Sequence, residues 1–178
     1  LGLYPQTFFN QIRRIRMIAM MKSENDTVYE DNIIIRNEPA IICDLDGTLA
    51  LKHENRTWYD ASTCDRDIIN MPILEICSAF AKTHHIVFCS GRENRFREQT
   101  LMFLKKCFHD FIEGHDFSLF MRETQDNRKD SIVKYEIYMN SIKDMYDILF
   151  VLDDRTQVVQ MWRNSIGLTC LQVAEGNF

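Results

Sequence analysis

AIICDLDGT, residues 40–48, joins four apolar residues directly to two carboxylates and a glycine. The apolar run, bounded by Pro39 and Gly47, has the length and composition of a buried β-strand. Because side chains alternate between the faces of a strand, extended backbone would place Asp44 and Asp46 on one face at its carboxyl end. Open parallel α/β sheets bind their ligands at this end. The stretch therefore predicts phosphoryl transfer, in which one carboxylate attacks phosphorus and the other moves the proton of the leaving group.

Strand and helix patterns alternate downstream of Asn32, which is typical of a doubly wound α/β fold with a parallel sheet and helices on both faces. Strands are predicted at 33–35, 40–44, 85–90, 117–121, 148–152 and 169–173, and helices at 70–82, 95–108, 129–139 and 158–162. The connection at 49–70 is short, and core elements fill the segment from 92 to 134. We therefore expect little or no cap domain and an open site.

Polar groups stand at three of the predicted strand ends. They are Asp44 and Asp46, Ser90 and Arg92, and Asp153 and Asp154. Neighbouring parallel strands present their carboxyl ends to one crevice, so these groups can converge there. Carboxylates packed together repel one another unless a divalent cation neutralises them, and oxygen ligands with room for water and phosphate suit Mg²⁺.

Composition narrows the class of protein. At 178 residues and 46% hydrophobic content, the chain suits one α/β domain with a short extension. A formal charge of -5 argues against coating nucleic acid by bulk charge but permits a local basic groove. Six cysteines without a Cys-x-x-Cys pair indicate reduced, structural thiols. With no membrane-spanning run and no signal-peptide pattern, we expect a cytoplasmic protein with no membrane partner.

Residues 1–38 differ from the main domain, which we place at 39–178. Apolar residues there alternate with Arg13, Arg14 and Arg16, a pattern that fits a basic amphipathic helix contacting a partner, a membrane surface or nucleic acid. The pattern fits equally a non-AUG extension, a fragment of a longer chain, or a helix packed on the domain, since the chain opens with Leu1. A structural or accessory role is the favoured interpretation.

Three motifs resemble those of the haloacid dehalogenase superfamily of aspartate-nucleophile phosphatases. They are Asp44-x-Asp46-Gly47-Thr48, Ser90-Gly91-Arg92 and Asp153-Asp154. Further segments, at 55–60, 64–70, 122–123, 128–130, 132–134 and 153–163, are similar to the 3'-phosphatase domain of phage-type polynucleotide kinase-phosphatases. The last of these, DDRTQVVQMWR, is the most specific. The resemblance implies a Mg²⁺-dependent phosphatase that removes 3'-phosphate from DNA or RNA ends in repair, with 2',3'-cyclic phosphate as a further candidate substrate.

The resemblance also implies a role for each site residue. Asp44 would be the nucleophile that becomes an aspartyl-phosphate, and Asp46 the general acid and base. Ser90 and Arg92 would hold the phosphoryl group, and Lys134 would neutralise charge, with Lys129 as the alternative. Asp153 and Asp154 would bind Mg²⁺ with Asp44 and the backbone carbonyl of Asp46. The substrate-binding candidates are Thr48, Arg56, Gly91, Arg122, Asp130 and Arg155; the three arginines fit surface or packing roles as well.

Several alternatives stay open. Asp130 precedes Lys134 by four residues, so on a helix the pair fits either a site contact or an ordinary surface ion pair. Trp58 and Tyr59 fit either stacking on a terminal base or packing beneath their loop. Basic residues at Arg92, Arg95, Arg97, Lys105, Lys106 and Arg128 fit either a strand-binding groove or a solvated helix face.

The overall activity also has competing interpretations. The chain has no Gly-x-x-x-x-Gly-Lys-Ser/Thr loop for ATP, so we expect no kinase activity from it, and a separate kinase or ligase partner is compatible with this. The alternatives to an end-processing phosphatase are a small-molecule nucleotidase and a non-catalytic module that binds phosphorylated ends. The oligomeric state is not predicted.

Overall fold

The computed structural model describes residues 37–176, which contain seven strands and four α-helices. The strands are β1 (Glu38–Cys43), β2 (Ala50–Leu51), β3 (Ile68–Ile69), β4 (His85–Glu93), β5 (Phe117–Arg122), β6 (Tyr146–Arg155) and β7 (Cys170–Gly176). The helices are α1 (Met71–Phe80), α2 (Arg97–Cys107), α3 (Asp130–Ile137) and α4 (Thr156–Gln160). Wider π-type turns extend α3 over Tyr138–Ile142 and α4 over Met161–Ile166.

Five strands form one parallel sheet in the order β5-β4-β1-β6-β7. The chain runs outward from β1 through β4 to β5, and then crosses to β6 and β7 on the other side of β1. The strand order therefore reverses beside β1, which is where doubly wound sheets open a crevice for ligands. The predicted doubly wound α/β fold is confirmed.

Alternating side chains of β1 contribute to two hydrophobic cores. Ile41 and Cys43 pack on the face covered by α1 and α2, where they join a cluster that contains Phe103 and Leu104. Ala40 and Ile42 face the opposite cluster, which contains Val158, Val159 and Trp162 from α4 and its extension. Burying both faces explains why this strand is a continuous apolar run rather than an alternating one.

Three of the strands extend three residues past their predicted ends, among them β7, which continues to Gly176. β4 continues through Gly91 to Glu93, and β6 continues to Arg155. The motif residues Ser90, Gly91, Arg92, Asp153 and Asp154 therefore lie within the last residues of strands and not in the loops that follow. Strand hydrogen bonding holds these backbone positions in place beside β1.

The connection from β1 to α1 forms a small structure that the patterns did not predict. β2 and β3 pair antiparallel, with Ala50 opposite Ile69. The Asn70 side chain donates to the carbonyl of Thr48 at 2.8 Å, which ties the two ends of the connection together. This two-stranded pair, a short 3-10 helix at Cys64–Arg66 and the loop before it occupy the place where a cap would be inserted, in agreement with the expectation of little or no cap.

Some predictions fall outside the described residues. The strand at 33–35 and nearly all of the extension at 1–38 lie there, and they stay predictions. Among residues 37–176, no helix has the length and apolar character needed to cross a bilayer. The six cysteines are free, and five of them are buried.

Candidate active site

A cleft of about 580 Å³ opens at the carboxyl ends of the parallel strands. Eight of the predicted site residues line it: Asp44, Asp46, Gly91, Arg92, Arg122, Asp130, Asp154 and Arg155. The other five, Thr48, Arg56, Ser90, Lys134 and Asp153, are buried and lie outside the cleft lining. The topology thus brings the carboxylates of β1 and β6 to one crevice, as parallel strand ends should.

Lys134 connects the carboxylates of β1 and β6. Its Nζ donates to Asp44 Oδ1 at 2.6 Å and to Asp153 Oδ2 at 2.9 Å, and it lies 3.9 Å from Asp130 Oδ2. Burial alone would lower the pKa of Lys134, but Asp153, Asp44 and Asp130 raise it well above its ordinary value. The alternative residue, Lys129, is exposed at the start of α3. Of the two candidate lysines, Lys134 is therefore the one that contacts the carboxylates, and its role in neutralising charge stays a prediction.

Asp44 is buried, and one of its two carboxylate oxygens accepts a hydrogen bond. It is 4% exposed, and its Oδ1 accepts from Lys134, whereas no bond to Oδ2 is made by the described residues. Burial raises the pKa of Asp44 well above its ordinary value, and the ammonium of Lys134 opposes that rise. Oδ2 is thus the oxygen left to act on a ligand in the cleft.

Asp44, Asp153 and Asp154 form a buried group in which each residue offers an oxygen within 4.8 Å of the others. Asp153 is the most constrained, since its Oδ2 also accepts from Trp162 Nε1 at 3.2 Å and its Oδ1 from the Arg155 amide at 3.1 Å. Burial, followed by repulsion from Asp153, raises the pKa of Asp154 to about 6. An all-oxygen donor set with excess negative charge suits a hard divalent cation.

Asp46 is held by two arginines. Arg92 forms a bidentate pair with it, Nε to Oδ2 and Nη2 to Oδ1, each at 2.8 Å, and Arg56 Nη2 also donates to Oδ1. Burial alone would raise the pKa of Asp46, but Arg92 and then Arg56 lower it below its ordinary value. Both oxygens of this carboxylate are thus bound by arginines. Metal binding by the backbone carbonyl of Asp46, which the family resemblance implies, stays a prediction.

Asp67 is the site residue that sequence reasoning missed. It accepts from Arg56 Nε at 2.8 Å, Arg56 Nη2 at 2.6 Å and Arg92 Nη2 at 3.0 Å, and its side chain is fully buried. The His53 amide donates to it as well, at 3.2 Å. Buried arginines need a buried counter-charge, and this requirement is the sequence signal that could have pointed to the acids of the 64–70 segment. Pairing of β2 with β3 is what brings the residue before Ile68 beside Arg56.

Arg122 holds a loop. Its Nε donates to the Gly91 carbonyl at 2.7 Å, and its Nη1 donates to the Asp126 and Arg128 carbonyls at 2.9 and 2.7 Å. Its Nη2 donates to Asp130 Oδ1 at 2.9 Å. These bonds fasten the loop between β5 and α3 to the end of β4. Substrate contact by Arg122 and Asp130 stays a prediction, and the bonds they make are those of positioning residues.

Ser90 and Thr48 lie deeper than the resemblance implies. Ser90 is fully buried, and its Oγ accepts from the Arg92 amide at 3.2 Å. Thr48 is fully buried too, and its Oγ1 has no hydrogen-bond partner among residues 37–176. Direct contact between substrate and either hydroxyl stays a prediction.

Two glycines allow close approach within the site. Gly47 has φ +86°, a left-handed conformation, and a Cβ there would lie 2.2 Å from Asp154 Oδ2. A Cβ on Gly91 would lie 2.2 Å from Asp130 Oδ1. Asp-x-Asp-Gly therefore needs its glycine both for the turn after β1 and for the position of the facing carboxylate.

Comparison with known families identifies the kind of site. Residues 38–178 match the family described as the polynucleotide kinase PNKP phosphatase domain. The chain belongs to this family. The PNKP phosphatase domain is a phosphatase of the haloacid dehalogenase type, so the chain is placed among phosphoric monoester hydrolases. The resemblance drawn from the motifs is confirmed.

Relatives of this PNKP phosphatase domain are parts of larger proteins. The putative bifunctional polynucleotide kinase/RNA ligase of Autographa californica nuclear polyhedrosis virus is 34% identical over 128 residues, which cover 70% of this chain and 18% of that protein. The chain therefore spans less than a fifth of that relative.

Solved structures agree with the family. A chain in a structure of the Pnkp1/Rnl/Hen1 complex is 40% identical with a TM-score of 0.73, over 88% of this chain and 52% of that one. A second, from the Pnkp1/Rnl/Hen1 RNA repair complex, is 34% identical with a TM-score of 0.74, over 99% and 58%. The class C acid phosphatase from Bacillus anthracis with tungstate bound shares the fold, at 14% identity and a TM-score of 0.51, over 98% and 77%.

Proposed function

We propose that the chain is a Mg²⁺-dependent polynucleotide 3'-phosphatase that acts on RNA ends during repair. The observation that carries the proposal is that Asp44 and Asp46 line the same cleft. One oxygen of Asp44 is held by Lys134 and the other is unbonded among the described residues, while Asp46 is held two residues away by Arg56 and Arg92. A nucleophile and a proton carrier thus have separate electrostatic environments.

The chemistry proceeds in two displacements. Asp44 Oδ2 attacks phosphorus, the bond from phosphorus to the 3' oxygen breaks, and Asp46 gives that oxygen its proton. Water then attacks the acyl phosphate, Asp46 takes the proton, and inorganic phosphate leaves as Asp44 is restored. In the free site the arginines favour ionised Asp46. A phosphate entering beside it adds negative charge, which favours the protonated acid that the first step needs.

Mg²⁺ fits the group formed by Asp44, Asp153 and Asp154, with the backbone carbonyl of Asp46 as a further oxygen. A bound cation would offset the repulsion among these carboxylates and stabilise negative charge on the transferring phosphoryl group. Lys134 supplies one positive charge to the same cluster. Asp153 is oriented by Lys134, Trp162 and the Arg155 amide, so its position does not depend on the ion.

The open cleft supports a polymer end as substrate. The short connection that contains β2 and β3 forms no cap domain over the cleft, which supports a substrate larger than a small metabolite. The relatives' descriptions name a polynucleotide kinase, an RNA ligase and an RNA repair complex. These descriptions support RNA ends as substrate and a kinase or ligase as partner. DNA ends and 2',3'-cyclic phosphates as further substrates, and an intracellular setting, belong to the proposal without that support.

Asp44→Asn tests the proposal. We expect the variant to lose turnover of a 3'-phosphorylated RNA oligonucleotide by at least about 1,000-fold, because an amide oxygen is a poor nucleophile and forms no stable acyl phosphate. Phosphate release with Mg²⁺ is the measurement, on matched RNA and DNA oligonucleotides and on nucleoside 3'-monophosphate. Asp147→Asn, at an exposed acid near the amino end of β6, is the control and should retain activity.

Three results would contradict the proposal. Turnover retained by Asp44→Asn would remove Asp44 as nucleophile. A much higher kcat/KM on the mononucleotide than on either oligonucleotide would mean a small-molecule nucleotidase. Wild type that binds phosphorylated ends without turnover in Mg²⁺ would mean a non-catalytic end-binding module.

A further inference from the structure

Two aromatic side chains stand at the rim of the catalytic cleft. Trp58 and Tyr59 line the same cleft as Asp44 and Asp46, and they are 42% and 90% exposed. The connection from β1 to α1 carries both of them. A ring that is 90% exposed is not packed beneath its loop, so the packing interpretation does not apply to Tyr59.

Tyr59 is the more available of the two rings. Among residues 37–176, nothing hydrogen-bonds to its side chain or stacks on it. Trp58 is approached by Lys52, whose Nζ lies 5.7 Å from the ring centroid. An exposed tyrosine ring gains free energy when a flat apolar surface covers it, while its hydroxyl keeps contact with water. Tyr59 therefore has the properties of a stacking surface.

The rest of the rim carries cations, two of which are paired with acids. Arg95, Arg128 and Lys129 line the cleft and are exposed, with Arg95 paired to Glu93 and Arg128 to Asp126 and Glu136. Arg95 also lies over the Phe96 ring, with its Cζ 4.7 Å from the centroid. Aromatic rings for bases combined with cations for phosphates are the usual elements of a single-stranded nucleic-acid site. A small phosphate ester would use the acidic floor of this cleft but not its exposed rim.

We propose that the Tyr59 ring stacks on the base of the 3'-terminal nucleotide whose phosphate faces Asp44. The inference rests on the proposed function, because a 3'-phosphate at Asp44 carries a ribose and base that extend toward the rim. Stacking accepts any base, so this subsite recognises a nucleotide terminus without reading sequence. In this arrangement the base of the ligand lies against Tyr59 at the rim, and its phosphate lies against the acids of the cleft, which are Asp44, Asp46 and Asp154.

A double-mutant cycle between protein and substrate tests the inference. The two enzymes are wild type and Tyr59→Ala, in the full chain with Mg²⁺. The substrates are a 3'-phosphorylated RNA oligonucleotide, the same oligonucleotide with an abasic 3'-terminal residue, and one abasic at the fifth residue from the 3' end. Tyr59→Phe keeps the ring, and Tyr135→Ala removes an exposed tyrosine on α3 that lies outside the cleft lining.

We expect Tyr59→Ala to lower kcat/KM on the intact oligonucleotide roughly 10-fold, mainly through KM, since stacking of one base on an aromatic ring has effects of about this size. The terminal abasic substrate should show the same loss with wild type and no further loss with Tyr59→Ala. The abasic residue at the fifth position, Tyr59→Phe and Tyr135→Ala should leave kcat/KM within about twofold.

Each other outcome overturns the inference. Equal losses for Tyr59→Ala on intact and terminally abasic substrates would mean a structural effect, and no loss on either would mean that the ring is unused. Either result leaves the proposed function in place if wild type still releases phosphate from the oligonucleotide. Failure of wild type to hydrolyse any 3'-phosphorylated oligonucleotide would instead remove the proposed function, and the inference with it.

Discussion

Asp67 balances the two arginines that hold Asp46. Arg56 and Arg92 are 6% and 4% exposed, so each guanidinium needs a partner that compensates for lost water. Asp46 serves both, but it also faces the cleft, with its side chain 22% exposed. Asp67 lies behind the arginines with its carboxylate fully buried. Asp67 would thus keep the arginines in place if the charge on Asp46 changes as the proposed mechanism requires.

Asp67→Asn should weaken both folding and catalysis. The amide places an N–H group against a guanidinium, and breaking a buried ion pair costs about 3 kcal/mol or more of unfolding free energy. With the arginines displaced, we expect kcat to fall by roughly 10- to 100-fold, by analogy with general acid–base groups. Urea denaturation measures the first effect, and phosphate release well below the melting temperature measures the second.

Asp65→Asn is the matched control for this variant. Asp65 lies two residues away in the same segment, and its contact with Lys106 is made through its backbone carbonyl. The Asp65→Asn variant should have an unfolding free energy and a kcat close to those of wild type. Wild-type kcat in a folded Asp67→Asn variant would show that the arginines hold Asp46 without this counter-charge.

At the scale of elements, the turn after β1 positions the facing end of β6. Gly47 closes this turn, with its amide donating to the Ala50 carbonyl at 2.9 Å, and its missing side chain leaves room for Asp154. Gly167, at the end of the extension of α4, has nearly the same conformation, with φ +88°, and open space around it. Substituting each glycine in turn therefore distinguishes the effect of backbone strain, which both positions share, from the effect of a clash with Asp154, which only position 47 has.

Gly47→Ala and Gly167→Ala should differ in their effect on activity. Each puts an L-residue in the left-handed region, which costs roughly 1–2 kcal/mol of unfolding free energy. Only alanine at position 47 also displaces Asp154, so we expect it to raise the Mg²⁺ concentration needed for half-maximal phosphate release by roughly 10-fold or more. Alanine at position 167 should lower stability alone. Equal Mg²⁺ dependence in both variants would contradict this account of Gly47.

For the whole molecule, we expect the carboxylate cluster to link folding to binding of the proposed Mg²⁺. The cluster joins β1 to β6 at the centre of the sheet, so its repulsion acts on the main strand pairing. The folded pKa of Asp154, about 6, lies above its ordinary value of 3.8. A group with a raised folded pKa takes up protons on folding, so the metal-free protein should lose stability as pH rises from about 4 to about 6. A bound cation would remove this cost.

Mg²⁺ should therefore raise the melting temperature at pH 7.5. At about 100 times its Kd, a single bound ion would add roughly 7 °C for a domain of this size. Asp154→Asn should abolish the shift, while its melting temperature in EDTA should equal or exceed that of wild type. Thermal denaturation with and without EDTA is the measurement, and Asp147→Asn should behave as wild type. An unchanged Mg²⁺ shift in Asp154→Asn would exclude Asp154 as a ligand.

Local sequence pattern was sufficient to predict the parallel sheet and the group of acids at the carboxyl ends of its central strands. Apolar runs that end in polar residues, at 40–48, 85–92 and 148–154, predicted the central strands, and parallel topology then placed their ends together. The convergence of Asp44, Asp153 and Asp154 follows from this alone. Strand ends were less predictable, since β4 and β6 continue past their apolar residues by pairing with neighbours.

Which charged side chains pair with one another was decided by tertiary contacts alone. Which lysine enters the core, Lys134 or Lys129, depends on the direction in which α3 faces the sheet. That Asp67 stands behind two arginines depends on a hairpin of two-residue strands, too short to leave a periodic signal. Exposure of Tyr59 is likewise a property of the folded rim. Periodicity along the chain specifies elements, whereas the partner of a buried charge is set by residues that are distant in sequence and meet only in the fold.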